Sequence, residues 1–284
     1  MGYVGATSIR AHAPLVSVIL TTRDRPHLLP IALACFEHQT YASRELIVVD
    51  DGSEYPADLA GRASLSARVI SVKPGTPLGI KLNYGADAAR GRLCVKMDDD
   101  DWYAPTYIET SVNALLETEA TICRPTVVIH MGFLFFELRT WQIHESTEQN
   151  APGATLMFSR NDWRRRPFRP VPTDEDAWFY RDQMRAGATV LTIDSKETFA
   201  AIRHRGHRAT FGHTWRYQLD GSTLEDYLTS RPVYATLPEQ FFPDWALKVY
   251  RGIHDDLVAQ EIEAERIVPE VASGGGADGA LEDR

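Results

Sequence analysis

The chain has 284 residues, 44% of them hydrophobic, and carries 30 Lys plus Arg against 39 Asp plus Glu, for a formal net charge of −9. That is enough chain for one large domain or two small ones with a full core, and the acidic balance gives nucleic acid no support as a partner. No apolar run approaches the ~18 residues of a transmembrane helix, and the N-terminus lacks the apolar stretch of a signal peptide. The three cysteines, Cys35, Cys94 and Cys123, have no CxxC spacing and sit among apolar neighbours. Reduced, buried thiols and a cytoplasmic location are therefore expected.

In chain order, residues 1–13 show no periodicity and read as an arm. Val16 to Leu20 forms a first strand, and Pro26 suits the first turn of a helix running to about His38, with Leu29, Leu33 and Phe36 on one stripe. Glu45 to Val49 is a second strand, ending in Asp50-Asp51-Gly52-Ser53, and Arg68 to Val72 a third. Leu78 to Ala89 is helical in spite of Gly79 and Gly85. Leu93 to Met97 is a short apolar run, a buried strand. Strands alternating with helices predict an α/β fold with a mostly parallel central sheet flanked by helices. Ile108, Val112, Leu115 and Leu116 continue at helical spacing. Strand-like runs then follow at Thr126 to Ile129, Phe133 to Leu138 and Ala154 to Phe158. A helix over Asp174 to Ala186 and a strand at Thr189 to Ile193 come next. Pro238 to Ile267 reads as a helical C-terminal extension that packs on the body or against a second subunit, which makes a homodimer one expectation. The glycine-rich end is a flexible tail.

Four carboxylates, Asp98, Asp99, Asp100 and Asp101, stand at the C-terminal end of the Leu93 strand. Ligands of open α/β sheets bind beyond the carboxyl ends of strands. Side chains two apart in an extended segment point the same way, so Asp98 and Asp100 can face one divalent ion while Asp99 turns elsewhere. An EF-hand loop starting at Asp98 fails, because Trp102 and Tyr103 occupy the positions that need an oxygen donor and a glycine. A solvated acidic turn is the bland alternative. Arg164, Arg165, Arg166 and Arg169 form a basic cluster that could meet an anionic substrate, although such a run is more often a solvated loop.

Three motifs, read together, decide between these readings. Val16 to Pro26 (VSVILTTRDRP), Glu45 to Ser53 (ELIVVDDGS), and Lys81 to Gly85 (KLNYG) leading into Met97 to Tyr103 (MDDDDWY) resemble glycosyltransferase family 2, the inverting enzymes of the GT-A fold. The resemblance implies a nucleotide-sugar donor, most simply a UDP-sugar, and a divalent metal, Mn or Mg, for its diphosphate. It implies that Asp51 meets the base beside Thr21 and Arg23. Asp99 would reach the ribose or a metal-bound water, and Asp98 and Asp100 the metal. The family often has Arg where Leu82 stands before Asn83; the resemblance places Asn83 at the donor, and Lys81 is the candidate to take over phosphate contact. The family's base ends an acidic motif before a helix, and Thr173 to Arg181 (TDEDAWFYR) fits, with Asp176 first and Glu175 second. Helix capping is the competing account of those carboxylates. A late metal-binding histidine points to His204, with His207 and His213 as alternatives. Gly153, Trp163 and Trp102 lie where such enzymes meet a glycan, lipid-linked or small-molecule acceptor.

By the same resemblance, residues 14–235 form the transferase domain, 14–105 its nucleotide-binding half and 106–235 its acceptor half. Residues 236–270 are the helical extension and 271–284 the tail. A sugar nucleotidyltransferase is the competing enzyme, but its Gly-rich, basic phosphate loop is missing near the N-terminus. A catalytically silent nucleotide-sugar-binding protein is the competing non-enzyme.

Overall fold

The computed structural model describes residues 13–26, 28–53, 67–138, 140–145, 153–171, 174–203 and 232–267. A seven-stranded sheet runs in the order β10-β6-β9-β4-β1-β2-β3. Its strands are β1 (Val16–Thr22), β2 (Arg44–Asp50), β3 (Arg68–Ser71), β4 (Leu93–Asp98), β6 (Thr126–Met131), β9 (Met157–Ser159) and β10 (Thr189–Asp194). β1 pairs in parallel with β2 on one side and β4 on the other, with Thr21 opposite both Val49 and Asp98. β9 alone runs against its neighbours β4 and β6. A smaller sheet, in the order β5-β11-β7-β8, is made of β5 (Trp102–Tyr103), β7 (Leu134–Glu137), β8 (Gln142–Glu145) and β11 (Phe199–Arg203).

Every residue of β1 is buried, which is why its sequence is an apolar run rather than an alternation. Val16, Val18 and Leu20 face one core with Leu29 and Leu33 of helix α1 (Leu29–Glu37). Ile19 faces a second core with Leu82 and Ala86 of α2 (Leu78–Ala88) and with Phe158, Phe168 and Phe179. Helices thus pack on both faces, and the chain passes from β1 outward to β2 and β3 before returning to β4 on the far side of β1. The crevice at the carboxyl ends of β1, β2 and β4 is the switch point where such sheets take ligands.

Helix α3 (Tyr107–Ile122) packs on β6 around His130. The fully buried imidazole has Nε2 2.8 Å from Ser111 Oγ and Nδ1 3.1 Å from Thr198 Oγ1, with the Tyr107 ring 4.8 Å away. Burial pushes its pKa down to about 4. The ring is a neutral tie between α3, β6 and the turn that enters β11.

Several expectations need correction. Cys35 and Cys94 are buried, but Cys123 is exposed, because it caps α3 in the left-handed conformation (φ 52°) where the chain turns outward. The predicted strand from Ala154 to Phe158 is a 3-10 turn at Gly153–Thr155 followed by β9. The C-terminal helix is two, α6 (Pro238–Phe241) and α7 (Asp244–Ile267), since Phe242 before Pro243 adopts ψ 145° instead of helical geometry. The start of α7 packs on the body, with Trp245 stacked 4.6 Å from His38 and Tyr250 fully buried. No helix among the described residues is long and apolar enough to cross a membrane.

Candidate active site

Three strand ends build the site. Beyond β2, Asp51 is buried beneath the crevice, its Oδ1 2.7 Å from Lys81 Nζ and its Oδ2 accepting the Gly75 backbone N–H at 3.0 Å. Arg23 Nη1 stands 3.9 Å from the same Oδ2, and Thr21 is buried at the end of β1. Arg23 and Asp51 thus meet, and Thr21 pairs with Val49 two residues before Asp51. Lys81 is tied to Asp51 rather than reaching outward. Asn83 serves another purpose: its Oδ1 accepts from Trp163 Nε1 (2.8 Å) and the Phe168 N–H (2.9 Å), and its Nδ2 donates to the Phe168 carbonyl, pinning the loop that leads to the acidic helix.

Beyond β4 the four carboxylates separate. The backbone bends at residues 99–101, so the extended alternation ends at Asp98 and the neighbours no longer point alternately. Asp98 Oδ1 lies 3.2 Å from Lys96 Nζ. Asp99 accepts from Thr22 Oγ1 (2.7 Å) and Arg25 Nη1 (2.6 Å), and the same Nη1 reaches Asp100 Oδ2 at 3.1 Å. Asp101 turns inward and accepts the Ile202 N–H at 3.0 Å, joining the acidic turn to β11. Asp98 and Asp100 thus face different cations, contrary to the simple two-apart expectation. Burial and the Asp100 charge push Asp99 up to about 6 against the pull of Arg25 and Thr22. Burial and Asp100 likewise raise Asp101 well above the carboxylate range.

The second wall is helix α5 (Glu175–Arg185), which begins at the acidic motif. Glu175 is buried, with Oε1 3.5 Å from Lys96 Nζ, so one ammonium joins the end of β4 to the start of α5. Burial works against the charged ammonium, but Asp98, Glu175 and Asp176 outweigh it and raise the Lys96 pKa above that of ordinary lysine. Asp176 is only partly buried and rests against Gly153, where any Cβ would collide with its carboxylate. Gly79 of α2 allows a similar approach, since a Cβ there would strike the Arg169 carbonyl and come within 3.3 Å of the Glu175 Cβ. The cap position is Asp174, left-handed (φ 59°) and making no side-chain capping bond, while Glu175 and Asp176 both lie in the first turn.

Lys96 is a functional residue that no family motif marks. Its signal was present: a lone cation within an apolar buried strand, two residues before an acidic motif and on the same face as Asp98. Arg25 lay inside the first motif without a role. Of the acceptor candidates, Gly153 borders Asp176, whereas Trp102 is buried against Phe241 and Phe242 and Trp163 is buried beside Phe168, so neither offers an open ring face. His204, His207 and His213 lie outside the described residues. Among the described residues, no three His, Cys, Asp or Glu side chains converge on one point that could hold a metal ion.

Comparison with known proteins fixes the family. The model described as Glycosyl transferase family 2 matches residues 17–189, more than half of the chain. The chain belongs to glycosyltransferase family 2. This family 2 member is 25% identical over 133 residues to an uncharacterized glycosyltransferase of Rickettsia typhi, covering 47% of this chain and 41% of that protein. It is 31% identical over 108 residues to an uncharacterized glycosyltransferase of Haemophilus influenzae, covering 37% and 33% respectively. The match thus spans less than half the length of either relative. Among solved structures, the mannosyltransferase PcManGT of Pyrobaculum calidifontis, in complex with GDP-Man and Mn2+, superposes with a TM-score of 0.55 at 17% identity, covering 90% of this chain and 80% of that one. S. aureus TarS residues 1–349, in complex with UDP-GlcNAc, gives 0.54 at 15% identity, covering 70% and 61%. The fold of this family 2 member is GT-A.

Proposed function

We propose that this chain moves a sugar from a UDP-sugar to an acceptor hydroxyl with inversion, assisted by a divalent metal, and that Asp176 is the base. The observation that carries the reading is the Lys96 bridge, which holds the acidic motif of β4 and the acidic start of α5 as two walls of one crevice. Asp51, held by Lys81 and Gly75, presents its carboxylate to the imide N–H of a uracil ring. The acidic turn supplies hard oxygen donors suited to Mg or Mn, which are commonly held by one or two carboxylates together with the phosphates of the substrate. Asp100 would hold the ion together with the diphosphate, and PcManGT, solved with Mn2+ and a nucleotide sugar, supports the use of a metal. Such an ion neutralises the charge that grows on a departing diphosphate.

The protein groups do the rest. Asp176 takes the proton from the acceptor hydroxyl as the acceptor oxygen bonds to the anomeric carbon. The bond from that carbon to the β-phosphate oxygen breaks, and its electron pair leaves with the nucleotide. Because the diphosphate leaves without a proton, one carboxylate is enough. Glu175, paired with Lys96, is occupied and less able to serve. The test is release of UDP from a panel of UDP-sugars with Mn2+, with and without simple glycoside acceptors. Release from none of them, in a protein that binds UDP, would leave a nucleotide-sugar-binding protein and no enzyme.

A further inference from the structure

One arginine holds two carboxylates of the acidic turn. Arg25 Nη1 sits 2.6 Å from Asp99 Oδ1 and 3.1 Å from Asp100 Oδ2, and its side chain is 10% exposed. This aim is built in. The Arg25 carbonyl accepts the N–H groups of Leu28 and Leu29 at the start of α1, and the preceding Asp24, left-handed at φ 49°, accepts from the Ser53 N–H at 2.7 Å. Thr22 holds the other oxygen of Asp99, so that carboxylate cannot turn away from the guanidinium. We propose that Arg25 is a resident counter-ion which, held on Asp99, also occupies Asp100 and excludes a divalent metal from it until a nucleoside diphosphate arrives to receive the guanidinium.

The physical reason is charge. Two adjacent buried carboxylates need a cation when no ligand is present, and Arg25 supplies it. A divalent ion at the same oxygens would stand close to the guanidinium, and the two would repel. A diphosphate removes the conflict, because it offers oxygens matched to the planar fork of arginine. Metal and nucleotide then strengthen each other's binding, and by linkage the coupling is reciprocal. The inference rests on the metal-assisted reading proposed above and adds a residue that orders the binding.

The test is calorimetric titration of the full chain with Mn2+, alone and with saturating UDP, for wild type and Arg25→Gln. Arg25→Met supplies a second neutral side chain should the first variant not fold, and Arg25→Lys retains the charge. Wild type alone should bind Mn2+ weakly, and the neutral variant at least tenfold more tightly. UDP should improve Mn2+ binding at least tenfold more in wild type than in the neutral variant, and Arg25→Lys should remain close to wild type. Equal Mn2+ affinity of wild type and neutral variant without UDP overturns the inference. If wild type then still binds Mn2+ with UDP, the metal-assisted reading survives. Mn2+ binding to neither protein, even with UDP, overturns both.

Discussion

Lys96 and Glu175 form a buried ion pair at 3.5 Å between the middle of the sheet and the first residue of helix α5. Such pairs seldom stabilise a fold more than apolar residues of the same size would, because both ions lose their hydration. Breaking one is another matter. Lys96→Met leaves Glu175 and Asp98 without their shared cation, and the expected loss is about 3–5 kcal/mol of unfolding free energy. Adding Glu175→Gln to Lys96→Met should recover a good part of that loss. Urea denaturation of the three variants checks it, and strictly additive effects would show that the two residues do not act on each other.

Asp176 and Glu175 are separated by their surroundings. Asp176→Asn should keep folding and UDP affinity near wild type while lowering transfer by about 10²–10⁴, the range typical of a lost general base. Glu175→Gln should lower it much less, with its main effect on stability through Lys96. Steady-state kinetics on both decides. An Asp176→Asn enzyme that keeps a tenth of the wild-type rate places the base elsewhere.

The base pocket has its own signature. If Asp51 accepts from an imide N–H that cytosine lacks, as proposed, UDP should bind about tenfold or more tightly than CDP, since an unmade buried hydrogen bond costs ~1–3 kcal/mol. Asp51→Ala should erase the preference. The ratio of the two affinities, measured by calorimetry, is insensitive to general loss of stability. GDP binding best would reject the uridine assignment.

His130 sets a pH dependence. An unfolded histidine titrates near 6.5, whereas burial holds the folded one at about 4. The unfolded chain therefore takes up the proton first as pH falls. The contribution is fully present above about 6.5 and is lost progressively down to about 4, by about 3 kcal/mol in all. His130→Gln should flatten the stability curve by about one proton within that window. Denaturation midpoints between pH 7 and pH 4 for both proteins measure it.

Much of this was legible because strands buried on both faces advertise themselves. β1, β2 and β4 are mostly apolar runs ending in polar motifs, and the ends of those runs are the candidate site. Elements whose identity depends on partners were not legible. β5 is two residues long and exists because β11 lies beside it, and α4 (Arg160–Arg165) is too short to show a period. The separation of Asp98 from Asp100 was hidden for a similar reason: it follows from a backbone bend and from Arg25 and Lys96, which reach the turn from elsewhere in the fold. Asn83 sits in a recognisable motif, but its bonds to the Phe168 backbone depend on a loop far along the chain.

The contact of Gly153 with the Asp176 carboxylate is one of shape, not of charge. Dissolved salt weakens attraction between exposed charges, with a screening distance of about 8 Å at physiological ionic strength, but it does not alter van der Waals contact. The seat of Asp176 is thus defined by a surface that ionic strength leaves intact, whereas the approach of an anionic donor to the crevice is not. With a net charge of −9 and more carboxylates than cations around the crevice, added salt should screen the repulsion of an anionic donor, lowering its KM and sparing kcat, so that the protein saturates earlier yet turns over at the same rate.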